Sequence, residues 1–209
     1  MQAIFMIIIL VMSVVIHEVS HGYAAYILGD PTAKLAGRLT LNPLKHLDWL
    51  GSIIVPGLLA LMGGFIIGWA KPVPYNPNNL RLSRGGALRE WGPAYVAVAG
   101  PAANILLVII FSLVLRFGLA GNFLNPPAAG LLGLIVLINL ALAIFNLLPV
   151  PPLDGSKILV SFLPYSARQA EEFFYRYQFI LFIILLFIIL NTSFLDRLIY
   201  FLFGLLTGQ

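Results

Sequence analysis

No cysteine occurs in the chain. That excludes disulfides, thiolate metal ligands and a cysteine nucleophile together. Charge is scarce as well. Only 10% of the 209 residues are Asp, Glu, Lys or Arg, where a soluble domain of this size carries about 25%. Hydrophobic residues make up 60% of the chain, and several apolar runs approach or exceed the ~20 residues that cross a bilayer. A soluble core does not account for this composition; an integral membrane protein does. The formal charge of +4 is small, and the basic residues are scattered among apolar runs. Nucleic acid is therefore no expected partner, and the charges read as topology determinants. No Gly-x-Ser-Gly motif is present to supply a serine nucleophile.

What is there reads as a series of membrane segments. The first span covers about Ala3 to Leu28 and stops at Gly29-Asp30-Pro31. It lacks the basic region that opens a signal peptide, so a permanent span is expected. Lys34 to Leu41 comes close to apolar alternation, which predicts a short strand at the membrane surface, turned by Asn42-Pro43. Residues 51–70 are apolar but interrupted by Pro56-Gly57 and Gly63-Gly64. Further spans fall at about 94–117 and 131–148, and apolar segments at 179–190 and 200–206 follow. Between them, 164–177 has the pattern of an amphipathic surface helix, with Ser166 and Gln169 as a capping box. The fold class predicted is an all-α polytopic membrane protein, a bundle of about 4–6 transmembrane helices with a small membrane-associated β segment. It is expected to form one domain over 1–209, with its core at 3–157 and an accessory surface helix and hydrophobic segments at 164–209.

Charge placement orients the bundle. Ten of the twelve Lys and Arg fall in 29–50, 70–92 and 154–177, while 118–130 has none. The excess of basic residues in cytoplasmic loops puts those three segments inside and 118–130 outside. Residues 51–70 then begin and end on the same side, so they are expected to enter the membrane and return. Irregular backbone at that depth is tolerated only against protein or a wet cavity.

The chemistry is concentrated in Ile16-His17-Glu18-Val19-Ser20-His21-Gly22, a His-Glu-x-x-His motif inside the first span. Residues four apart on a helix share a face, so both imidazoles can reach one metal ion. Glu18 stands beside that face, where a carboxylate can take a proton from an activated water. Charged groups at membrane depth cost roughly 2.5–3.5 kcal/mol each by insertion scales, so they usually serve a purpose. Two histidines leave a catalytic zinc one protein ligand short. Of the remaining acidic residues, Asp30, Asp48, Glu90, Glu171, Glu172 and Asp196 sit at loops or surface helices. Asp154 differs: it follows an apolar span and a break at Pro149, Pro151 and Pro152, and precedes Gly155. Its place beyond the inner end of an inward-running span matches the depth of His17.

His17-Glu18-Val-Ser-His21 together with Asn146-x-x-Pro149-x-Pro151-x-Leu153-Asp154-Gly155 resembles the site-2 protease family of intramembrane zinc metalloproteases. Ala99-Gly-Pro-x-x-Asn104 and Gly37-Arg-Leu-Thr-Leu-Asn-Pro also match, the latter as in its short bacterial members. No PDZ-like or CBS-like insertion interrupts the sequence. The resemblance covers roughly residues 3–157. It implies that His17, His21 and Asp154 bind one Zn2+ per chain, that Glu18 activates the water, and that Asn146 supports substrate or the transition state. It implies an endopeptidase that cuts transmembrane segments of other membrane proteins in regulated intramembrane proteolysis. The expected location is the cell membrane, multi-pass, with the active site toward the cytoplasm. The lipid bilayer and a transmembrane protein substrate are then the partners, and a homo-oligomer stays open.

Several roles are less determined. His46 is a candidate for substrate or transition-state support, against a surface histidine beside Asp48. Asn104 reads as structural beside Gly100-Pro101. The strand at 34–41 is a candidate to hold an unwound substrate by edge pairing. Two other functions compete: a non-catalytic relative, against which the intact Glu18 stands, and a zinc-handling transporter, which inverted repeats would favour.

Overall fold

The computed structural model describes residues 2–54, 58, 61, 70–80, 91–163 and 168–208. Eight α-helices appear among them: α1 (Gln2–Ile27), α2 (Thr32–Leu35), α3 (Trp91–Ala120), α4 (Pro126–Asn146), α5 (Asp154–Phe162), α6 (Arg168–Arg176), α7 (Gln178–Asn191) and α8 (Phe194–Thr207). Short 3-10 turns at Pro43–Lys45 and Pro77–Asn79 and a π-helical turn at Trp49–Ile54 complete the described residues.

The long helices are built inside out. On α1 the exposed positions include Ile4, Ile7 and Ile8, while Ser13, His17 and His21 are buried. On α3, Leu106 and Ile109 are exposed, while Asn104 and Ser112 are buried. A soluble helix shows the reverse, with polar residues outward. Apolar surface that faces lipid and polar groups that face the bundle interior are the arrangement a bilayer imposes. Among the described residues, three helices are long and apolar enough to cross a membrane: residues 4–27 of α1, all of α3 and all of α4. The pair α7 and α8, bent by 67°, adds a fourth if it forms one span. The described residues thus supply three or four of the expected four to six.

α3 is the centre of the bundle and packs against α1, α4, α5 and α8. Its turn into α4 is set by Asn125, whose side chain accepts the Ala128 N–H, followed by Pro126 at the first helical position. One apolar cluster, Val108, Val136, Leu140 and Ile199, joins α3, α4 and α8. A second, Ala25, Leu80 and Val96, joins α1 and α3 to the stretch before residue 81.

The predicted strand at 34–41 is not formed. Thr32–Leu35 instead makes one helical turn, and no strand occurs among the described residues. Turn chemistry overrides the alternating pattern. The Asp30 carboxylate accepts the backbone N–H and the hydroxyl of Thr32, at 3.2 and 2.6 Å, which starts the turn. Gly37, in the left-handed region at φ +65°, ends it. The expected re-entrant bends at Pro56-Gly57 and Gly63-Gly64 lie outside the described residues, as does Ser166 of the expected capping box. The surface helix itself is seen as α6, with Phe173 and Tyr175 exposed.

Residues 70–80 form a strap across α1. Lys71 donates its N–H to the His46 carbonyl at 2.9 Å. Val73 donates to Glu18 Oε2 at 2.9 Å. Asn76 N–H and Asn79 Nδ2 donate to the Asp30 carboxylate at 2.6 and 2.8 Å. The sequence Lys71-Pro72-Val73-Pro74 explains its extended course: two prolines fix φ, and each forces the residue before it out of the helical region.

Candidate metal centre

His17 and His21 stand one helical turn apart on α1, and their rings meet edge to face with centroids 4.7 Å apart. Asp154 enters from the first turn of α5, where the helix dipole favours a carboxylate. Gly155 lets α5 sit that close, because a Cβ there would overlap the carbonyl oxygens of Leu147 and Leu148 at the end of α4. From the other side α3 approaches through Gly100. A Cβ at that position would overlap both imidazoles, coming within 2.6 Å of His17 Nε2.

Three donor atoms converge. His17 Nε2 and His21 Nε2 are 3.0 Å apart, and Asp154 Oδ2 lies 3.2 and 3.1 Å from them. All three residues are buried. The outer nitrogens are engaged elsewhere. His17 Nδ1 donates to Asn104 Oδ1 at 2.6 Å, and His21 Nδ1 donates to the Val96 carbonyl at 2.7 Å. With the protons on Nδ1, each Nε2 presents a lone pair to the same point as the carboxylate. Three electron-rich atoms packed this way repel one another unless a proton or a metal ion lies between them, and their chemistry suits a metal ion. Ligand atoms around a tetrahedral zinc with bonds of about 2.0–2.2 Å stand roughly 3.3–3.6 Å apart, a few tenths of an ångström wider than the separations here. The donor set, two imidazoles and a carboxylate, is that of a catalytic zinc with an open position. These residues fit the ion.

A cavity of about 150 Å³ opens beside this cluster. The two histidines, Glu18, Asn146 and Asp154 line it, and Pro72, Val73 and Tyr75 of the strap form another part of its wall. Glu18 reaches it with its carboxylate held by the Val73 N–H. Asn146 donates Nδ2 to the Leu142 carbonyl at 2.9 Å. Lys157 places Nζ 3.2 Å from Asp154 Oδ1. Burial disfavours the Lys157 ammonium, but the neighbouring carboxylate outweighs it and raises its pKa above the usual lysine value. Burial raises the Tyr75 pKa, so its phenol stays protonated.

The sequence-predicted residues therefore separate into two groups. His17, Glu18, His21, Asn146 and Asp154 meet at one cavity. His46 is absent from its wall. It is buried, donates Nε2 to the Thr40 carbonyl at 2.9 Å, and receives Lys71 N–H on its own carbonyl, so it ties the loop before it to the strap. Sequence reasoning missed Val73, Tyr75, Lys157 and Asn139 and gave Asn104 only a packing role. Asn139 had a usable signal, a lone amide in the middle of an apolar span. Val73 acts through its backbone, for which the flanking prolines are the only trace.

Comparison with known proteins agrees with this chemistry. The profile of Peptidase family M50 matches residues 121–189. YwhC of Bacillus subtilis, named as a zinc metalloprotease, is 40% identical over 187 residues, which cover 87% of this chain and 79% of that protein. Rip2 of Mycolicibacterium smegmatis, named likewise, is 29% identical over 195 residues, covering 92% of this chain and 70% of its own length. No solved structure matches the chain significantly. The chain belongs to peptidase family M50, the site-2 protease family, and is a zinc-dependent metalloprotease with membrane helices.

Proposed function

We propose that the protein is an intramembrane endopeptidase that hydrolyses peptide bonds within or near transmembrane segments of other membrane proteins, as a step of regulated proteolysis. In this reading His17, His21 and Asp154 hold one zinc ion per chain, and Glu18 is the general base. The observation that carries it is the convergence of two Nε2 lone pairs and one carboxylate oxygen at 3.0–3.2 Å, with both Nδ1 protons already committed.

Zinc, when bound, supplies Lewis acidity toward the scissile carbonyl and the attacking water. The chain's own residues do the rest. Glu18 takes the proton from the water and returns it to the leaving amine. The Val73 N–H holds that carboxylate in place and leaves Glu18 Oε1 for the proton. Asn146, on the same cavity wall, is positioned to hold the substrate carbonyl. A helical substrate has its carbonyls blocked by hydrogen bonds, so it must unwind locally before it fits a cavity of this size.

Depth and charge support a site toward the cytoplasm. His17 lies roughly 20 Å along the span that starts at Ile4 and about 15 Å from its end at Ile27, at 1.5 Å per residue. The basic segments next to the nearer end carry the cytoplasmic charge bias. We read 1–209 as one such domain in the cell membrane.

The test uses purified protein in detergent, with zinc content and cleavage of a synthetic transmembrane peptide measured beside Glu18→Gln. One zinc per chain in both proteins, with cleavage only in the unaltered one, is the expected result. Cleavage that survives Glu18→Gln would remove the assigned base.

A further inference from the structure

Behind His17 runs a line of buried polar side chains contributed by three helices. Asn104 on α3 is fully buried, as is Asn139 on α4, and Ser13 on α1 is nearly so. Asn104 Nδ2 donates to Asn139 Oδ1 at 2.8 Å. Asn139 Nδ2 donates to Ser13 Oγ at 3.0 Å and to the Ile135 carbonyl at 2.9 Å. Such groups are costly in an apolar span unless all are satisfied, and here each is.

We infer that Asn139 is a positioning residue for the metal centre, setting through Asn104 which nitrogen of His17 carries the proton. This rests on the reading of His17 as a ligand.

The direction of each bond follows from one fixed end. A backbone carbonyl only accepts, so the Ile135 oxygen requires the NH2 of Asn139 on its side. The Asn139 oxygen must then face Asn104. An amide oxygen only accepts, so Asn104 must present its NH2 there. That turns the Asn104 oxygen toward His17, and only a protonated Nδ1 can meet it. His17 Nε2 is thereby left as a lone pair aimed at Asp154 and His21. No step depends on how an amide is oriented at the outset, because the Ile135 carbonyl removes the ambiguity. His21 needs no such relay: its Nδ1 meets a backbone carbonyl directly. The two ligands are thus held by different means, and only His17 is open to change by a distant side chain.

The test compares the unaltered protein with Asn139→Leu and the milder Asn139→Ala, using imidazole 15N NMR of the zinc-free protein and competition with a zinc chelator. In the unaltered protein His17 should be in the Nδ1–H form. Both variants should lose that uniform signature for His17 but keep it for His21, and zinc affinity should fall about 10–100-fold. Ser13→Ala, which leaves the Ile135 bond in place, should keep both. A His17 Nδ1 that carries no proton in the unaltered protein would overturn the inference without any variant. So would unchanged affinity and signature in a folded Asn139→Ala. If the unaltered protein takes up no zinc at His17 and His21, the ligand assignment fails, which is a different result.

Discussion

The Val73 N–H lies 2.9 Å from Glu18 Oε2, joining two residues 55 positions apart. It is the single N–H that residues 72–74 can offer, since both neighbours are proline. The strap therefore delivers its one donor to the carboxylate that the reaction needs. Its other fixed points, Lys71 on His46 and Asn76 and Asn79 on Asp30, hold it in register.

Val73→Pro removes that donor, and it also alters a buried side chain, so a thermal melt in detergent first checks that the variant is folded. A hydrogen bond to a charged group contributes about 1.5–3 kcal/mol, so turnover on a transmembrane peptide should fall about tenfold or more. Zinc content should stay at one per chain, because no proposed ligand is touched. Steady-state cleavage with parallel metal analysis checks this; an unchanged turnover number would show that the bond does not orient Glu18.

Gly100→Ala tests the close approach of α3. By helix propensity alone alanine would stabilise an interior position by about 1 kcal/mol. Here the added Cβ would overlap both imidazoles, and packed backbone on α3 cannot yield cheaply. The expected outcome is a folded protein, by thermal melt in detergent, that has lost stoichiometric zinc. Full zinc retention would mean that the helices separate more easily than their packing indicates.

Asp30 should matter for stability, and the sign of its pH dependence is fixed. It is fully buried. Burial would raise its pKa, but donors from Thr32, Asn79 and Asn76 outweigh that and lower it below the ordinary carboxylate value. A lowered folded-state pKa gives stability that is complete above the unfolded value of about 3.9 and is lost as pH falls through the folded one. Asp30→Ala should cost about 2–3 kcal/mol at neutral pH, from donors left unsatisfied. Melts of both proteins from neutral to acidic pH should converge at the acid end. A constant gap would place the effect in packing and not in the charge.

Much of the site was legible because membrane depth makes polar residues conspicuous. His17, Glu18 and His21 stand out within an apolar run, and Asp154 stands out by its place after the proline break. The helical architecture follows from the same runs. The strand at 34–41 was misread because period-two alternation carries no information about the Asp30 carboxylate, which starts a helical turn, or about Gly37, which ends it. The relay from Asn139 to His17 was hidden for another reason. Its members are 35 and 87 residues apart in sequence, and no local pattern links one amide to the next. His46 was harder to read, because its sequence neighbours could not show that it is buried, with its ring on the Thr40 carbonyl and its own carbonyl on Lys71.

X-ray absorption at the zinc edge, on purified protein and on His17→Ala and Asp154→Ala, addresses the ligand set directly. Two imidazole nitrogens and a carboxylate oxygen at about 2.0–2.2 Å are expected, with one imidazole's outer-shell scattering lost in His17→Ala and zinc held weakly or not at all in Asp154→Ala. Full occupancy and unaltered spectra in both variants would contradict the assignment.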